Sequence, residues 1–346
     1  MITGNHQPLQ FRPVDTPEKD AWQAQLTDMI TTLPELLAHL QLSNPPAELA
    51  DMAQNGFPVR VTRHFASLMQ PGDWADPLLH QVLPWAREAE PTAGYVTDPL
   101  AEEVATVMPG LIHKYRSRVL IVPTSACAIH CRYCFRRHFP YSEHRLSATE
   151  RQHILEYLRS DSSINEVIFS GGDPLMLPDK VLAGWLDALA DIPHLRRVRL
   201  HSRLPVVLPD RLTRTLLDTL TGSRLQPILV LHANHARELD TRLAKRMEPW
   251  RMSPVTLLNQ AVLLRGVNAD SAVLAALSER LFAIGVLPYY LHQTDAVAGT
   301  AHFTVGDGEA KALYREIQGL LPGFLVPRLV REVPGDVSKR GLNDLA

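Results

Sequence analysis

Ser125-Ala-Cys-Ala-Ile-His-Cys-Arg-Tyr-Cys-Phe-Arg-Arg137 contains all three cysteines of a 346-residue chain, Cys127, Cys131 and Cys134. Thiolates this close together suit an iron–sulfur cluster, whose irons take cysteine ligands. A four-iron cluster on three cysteines keeps one iron open to a small molecule, and chemistry can begin there. The plain alternative is a structural zinc ion with His130 or His138 as fourth ligand. Zinc sites commonly draw Cys-x2-Cys doublets from two loops, whereas one loop supplies every thiol here. With each residue spanning at most about 3.5 Å, such a loop suits wrapping a cluster better than closing a tetrahedron.

The loop follows the first of six strand-like runs, at 119–122, 166–170, 197–201, 227–232, 254–258 and 286–291. Amphipathic stretches predicted as helices lie between and after them, at 148–160, 179–190, 208–220, 235–247, 270–284 and 307–321. The first of these opens on a capping box, Ser147-x-x-Glu150. Six strand–helix units imply parallel strands joined by right-handed crossovers. A doubly wound open sheet and a partial barrel both fit this α/β pattern. In both, the carboxyl ends of the strands form the active face. Cys127 follows the first run, Gly171-Gly172-Asp173 the second and Ser202-Arg203 the third; His232 ends the fourth, Gln260 the fifth, and Asp295 follows the sixth. Chemistry-bearing groups are therefore expected on one rim.

Residues up to about Met108 read as helical and loop-rich, with helical spacing over 21–38 and breaks at Pro45-Pro46 and Pro71-Gly72. The chain is divided into a mainly helical region 1–108, an α/β region 109–322 and a C-terminal segment 323–346. A formal net charge of -2 gives no electrostatic case for nucleic acid or anionic membrane. Met1-Ile-Thr-Gly-Asn-His-Gln-Pro8 lacks the pattern of a secretion signal, and no apolar run is long enough to span a bilayer. Clustered cysteines without distant partners point to a reducing cytoplasm.

Cys127-x3-Cys131-x2-Cys134, with Tyr133 before the last cysteine, resembles the signature of radical S-adenosylmethionine enzymes. The resemblance implies a partial (β/α)6 barrel and a 4Fe–4S cluster whose open iron is chelated by S-adenosylmethionine. It also implies an external electron donor, since one-electron reduction cleaves the sulfonium to a 5′-deoxyadenosyl radical. Ser170-Gly171-Gly172-Asp173 resembles the family's loop for the methionine amino group, and His232 and Gln260 match its other S-adenosylmethionine contacts. Glycines at a strand end admit a close backbone approach.

A longer resemblance, from about Gly110 to Lys339, is to lysine 2,3-aminomutases. It is carried by Leu111-Ile-His-Lys-Tyr-Arg-Ser-Arg118, His201-Ser-Arg-Leu-Pro-Val-Val-Leu-Pro-Asp-Arg211, Leu258-Asn-Gln-Ala-Val-Leu-Leu-Arg-Gly-Val-Asn268 and Pro288-Tyr-Tyr290. That family binds pyridoxal 5′-phosphate as a Schiff base to a lysine after a C-terminal glycine-rich turn. Pro334-Gly-Asp-Val-Ser-Lys339 stands in that place, making Lys339 the implied lysine, although only Gly335 remains of the glycines. Otherwise Lys339 would read as a solvated terminal lysine. Arg118 matches the phosphate-binding arginine, with Tyr115 and Lys114 as flanking contacts. Arg136 matches the clamp on the substrate carboxylate, though Arg132, Arg136 and Arg137 could equally be a basic surface. Asp295 and Glu332 match the carboxylates that hold the distal ammonium of L-lysine, Glu332 being one methylene longer than the usual aspartate.

Glu332, the helical leader and the short C-terminus resemble the subgroup that makes (R)-β-lysine for modifying elongation factor P, where a separate ligase attaches it. A catabolic aminomutase, or one for another amino acid, is the nearest alternative. Glutamate would be repelled by an Asp295–Glu332 pair. A zinc-stabilised interaction protein without catalysis is the alternative of another class.

Overall fold

The computed structural model describes residues 21–49, 57–144 and 146–342. The reading of residues 1–8 and the outer ends of the first and last regions fall outside them.

Ten strands form one sheet in chain order, each paired with the next: β1 (Thr106–Met108), β2 (Leu111–Tyr115), β3 (Arg118–Ile121), β4 (Glu166–Phe169), β5 (Arg197–Ser202), β6 (Gln226–Leu231), β7 (Thr256–Val262), β8 (Leu287–His292), β9 (Arg328–Arg331) and β10 (Arg340–Gly341). Pairs from β3 to β9 are parallel, and the hairpins β1–β2, β2–β3 and β9–β10 are antiparallel. The edges do not meet, so the sheet is a partial barrel. Between the parallel strands run helices Ala148–Ser160, Asp179–Ala190, Arg214–Thr221, Thr241–Arg251, Ser271–Ala283 and Asp307–Leu320.

Side-chain alternation separates core from cavity. Along β5, Val198 and Leu200 are fully buried in the core, while Arg197, Arg199 and His201 line the barrel interior. Each buried aliphatic contributes about 2 kcal/mol. The capping box is present: Ser147 Oγ accepts from the Glu150 amide, and Glu150 Oε2 accepts from the Ser147 amide at 2.8 Å.

Several expectations need correction. A seventh parallel strand, β9, lies in the segment expected only to carry Lys339; at four residues, Arg-Leu-Val-Arg, its alternation is too short to read. The sheet also begins earlier than the run at 119–122, with β1, inside the region 1–108 expected to be mainly helical, and β2. Gln260 sits within β7 rather than at a strand end, because that strand runs on to Val262. The helix expected over 208–220 is broken: Leu204–Val207 is helical, Pro209–Arg211 is a 3-10 turn, and a new helix starts at Arg214 on the Thr213 cap. The segment 21–38 is likewise two helices, Ala21–Thr27 and Leu33–His39. Thr32 caps the second, Pro34 sits in its first turn, and Ile30 between them pairs with Val61.

One apolar core runs from Trp22 in the leader through the barrel to Leu342. The leader also clasps the cysteine loop. Arg60 O accepts from the His130 amide at 3.0 Å, Gln81 O from the Arg132 amide at 2.9 Å, and Phe57 O from Arg132 Nη1 at 2.7 Å. Arg132 is fully buried against the Glu88 carboxylate, so it braces the loop and is not part of a basic surface.

Candidate active site

A cavity of about 510 Å³ occupies the barrel interior. Every residue matched above to a cofactor or to the substrate lines it: Cys127, Cys131 and Cys134 from the loop after β3; Ser170, Gly171, Gly172 and Asp173 after β4; His232 and Gln260 from β6–β7; and Lys114, Tyr115, Arg118, Arg136, Asp295, Glu332 and Lys339.

At one end the thiols are held by backbone. The Cys134 amide donates to Cys131 O at 3.0 Å, and Arg60 Nη1 to Cys127 O at 3.3 Å. Burial, and then the neighbouring Cys131, push the Cys134 thiol up to about 11. Three thiolates cannot stand together here without a multivalent cation to neutralise them. Gly172 closes onto this loop: a Cβ there would lie 2.7 Å from Thr124 O and Ala126 O. Gly171 adopts φ +113° beside Val122. These glycines are required by packing of one loop on the other. Asp173 is already committed, since its carboxylate accepts from Ser202 Oγ at 2.7 Å and from the amides of Leu175, Arg203 and Leu204. Neither histidine offered as a zinc ligand lines the cavity with the thiols. His130 Nδ1 meets Pro58 O at 2.8 Å and its ring stacks on Phe57; His138 Nε2 meets Ala298 O at 3.0 Å.

From Arg136, just past the last cysteine, a chain of alternating charge leads away to Lys339. Glu102 grips Arg136 with two bonds, to Nε at 2.6 Å and Nη2 at 2.8 Å, and lies 3.2 Å from Lys114 Nζ. Lys114 continues to Glu332 at 2.9 Å, and Glu332 to Lys339 Nζ at 2.5 Å. Burial works against ionising Glu332, but Lys339 and Lys114 outweigh it and hold its carboxyl well below the usual range. Asp295 has the opposite fate. Burial and then the Glu332 charge push it up to about 7. Lys339 reaches this site because Gly335, at φ +78°, turns the chain and β10 folds back on β9. Arg118 lies over the Tyr115 ring at 4.2 Å and has no carboxylate partner among the described residues.

Glu102 escaped the sequence reading, and Arg203 was expected on the rim without a role; it does line the cavity. Glu102 sits in the short helix Glu102–Ala105, entered through Ala101 at φ +48°. Nothing local distinguishes it from the chain's other acids. Arg203 lay within a quoted motif, but its contacts are long-range.

Residues 121–238 match the model of the radical SAM superfamily. The chain is 46% identical to an L-lysine 2,3-aminomutase of Escherichia coli, over 95% of this chain and 96% of that one. It is 44% identical to that of Haemophilus influenzae (93% and 95%) and 33% identical to that of Clostridium subterminale (95% and 79%). This chain belongs to the lysine 2,3-aminomutase family of radical SAM enzymes. It is therefore an isomerase, and the family's 4Fe–4S cluster and S-adenosylmethionine are its cofactors. The three thiols, mutually repelling and facing the cavity, fit that cluster. Among the described residues no helix is long and apolar enough to cross a membrane.

Proposed function

We propose that this aminomutase binds pyridoxal 5′-phosphate through Lys339 and converts L-lysine to (R)-β-lysine in the cytoplasm, for attachment to elongation factor P. The observation that carries the substrate assignment is one cavity holding a guanidinium, Arg136, together with two carboxylates, Asp295 and Glu332. These complement the two ends of lysine. When bound, the cluster with S-adenosylmethionine supplies a carbon radical for hydrogen abstraction at C3, and pyridoxal phosphate supplies the π-bond across which nitrogen migrates.

The chain's own residues bind and orient. Glu102 holds the Nε–Nη2 edge of Arg136, while Nη1 reaches Ser170 Oγ at 3.1 Å. The substrate carboxylate takes the Nη1–Nη2 edge as a two-bond pair. Glu332 is neutralised here by the Lys339 ammonium. With Lys339 engaged in holding pyridoxal phosphate, Glu332 would turn its charge to the distal ammonium of the substrate, with Asp295 lining the same cavity. Arg118, stacked on Tyr115 and without a carboxylate, is the phosphate ligand, with Lys114 and Tyr115 flanking. Ser170, Gly171 and Gly172, with Asp173 bracing their loop, hold the methionine moiety with His232 and Gln260. Burial, then Arg203, lower His232 to about 3, so it meets that ligand as a neutral imidazole.

Lysine labelled with ¹⁵N at C2 tests the reading: reduced enzyme with both small cofactors yields β-lysine carrying the label at C3. Isomerisation of a different amino acid, with lysine untouched, would overturn it. The elongation factor P role is supported by Glu332 and by greater identity to the Escherichia coli and Haemophilus relatives than to the clostridial one. Its test is the mass of elongation factor P from cells with and without the gene. An unchanged mass would leave the catabolic alternative.

A further inference from the structure

We propose that Arg203 is a redox-tuning residue, a buried cation whose N–H···S bond to Cys131 favours the reduced cluster. Its Nη1 donates to Cys131 Sγ at 2.9 Å and also meets the Tyr133 hydroxyl. Its Nη2 donates to Gln81 Oε1 at 2.7 Å and to Glu238 Oε2 at 3.2 Å. The guanidinium stands 5.2 Å from the Phe65 ring centre and is only 6% exposed. Burying a cation costs several kcal/mol unless anions surround it. One such anion here is Glu238; Cys131, once ligated, is the other.

A network fixes this placement. Gln81 Nε2 donates to Glu238 at 3.0 Å; Asn234 Nδ2 donates to Gln81 at 3.0 Å and to Tyr133 at 2.7 Å. The Arg203 amide is tied to Asp173 at 2.8 Å. The guanidinium is thus oriented by the leader, the cysteine loop and the ends of β5 and β6 together.

Reduction by an external one-electron donor places one more negative charge on the cluster, breaks no bond, and leaves Arg203 protonated throughout. A hydrogen bond and a positive charge at a ligand sulfur both stabilise the form with the extra electron, which raises the potential. This role is independent of which amino acid is isomerised.

The test is an EPR-monitored redox titration of the reconstituted enzyme without S-adenosylmethionine, for wild type, Arg203→Lys and Arg203→Gln. The glutamine variant is expected to favour the reduced cluster about tenfold less, a fall of about 59 mV for one electron. The lysine variant, which keeps the charge without the fork, falls less. Equal potentials in the three proteins would overturn the proposal, as would lower cluster content with an unchanged potential. Arg203→Gln takes the cation away from buried Glu238 and can fail to fold, so the wild type is also prepared with arginine carrying ¹⁵N in its guanidinium alone. A ¹⁵N hyperfine coupling to the reduced cluster, absent from Arg203→Lys, is expected; no coupling in the wild type overturns the assignment by itself.

Discussion

The two ends of the cavity are built on opposite terms. Around the cysteines, the bracing polar groups are committed to partners that need not change: Asp173 to one hydroxyl and three amides, His130 to a carbonyl, Arg132 to Glu88. At the far end the partners are interchangeable ions, Arg136–Glu102–Lys114–Glu332–Lys339. A fixed end suits a cluster that must stay in place through many turnovers. An exchangeable end suits cationic and anionic ligands that arrive and leave, because each displaced ion pair has a neighbour to fall back on.

Replacing any of Cys127, Cys131 or Cys134 by Ala is expected to break the fixed end outright. Iron analysis and visible absorption should show the cluster lost, with no cleavage of S-adenosylmethionine. Lys339→Ala should abolish turnover yet keep the brown colour, and borohydride should no longer fix pyridoxal phosphate to the chain. Loss of colour in that variant would deny that the ends are separately built.

Asp295→Ala should raise KM for lysine about 30-fold, equivalent to about 2 kcal/mol for a lost buried charge partner. Wild-type kinetics in that variant would remove Asp295 from the site. Gly172→Ala tests the opposite wall. Its Cβ would meet carbonyl oxygens at 2.7 Å, so the melting temperature should fall by the equivalent of about 1–3 kcal/mol.

The smallest effect is a change in pH profile. Asp295 titrates at about 7: below that it is a neutral acid and above it a carboxylate, so affinity for a cationic substrate rises as pH passes upward through 7. Glu332→Gln removes the neighbouring negative charge and should move the inflection to lower pH. An inflection that stays put would mean that the carboxylates do not sense each other.

How much of this was legible follows the range of the interactions. The cysteine loop, the glycines of 171–172 and the strand–helix rhythm are local patterns, and each was readable from a few residues. Lys339 could be placed only by resemblance, since a hairpin around Gly335 brings it home. Glu102 was illegible because its partner Arg136 lies 34 residues away. The bond between Arg203 and Cys131 spans 72 residues. Strand β9 hid between two arginines.

Two ends of one cavity that serve one reaction must exchange hydrogen through a common substrate. Reduced enzyme given S-adenosylmethionine, pyridoxal phosphate and L-lysine deuterated at C3 should place deuterium in 5′-deoxyadenosine and in recovered S-adenosylmethionine. If the sulfonium is cleaved while both remain free of deuterium, the two ends do not act on the same molecule.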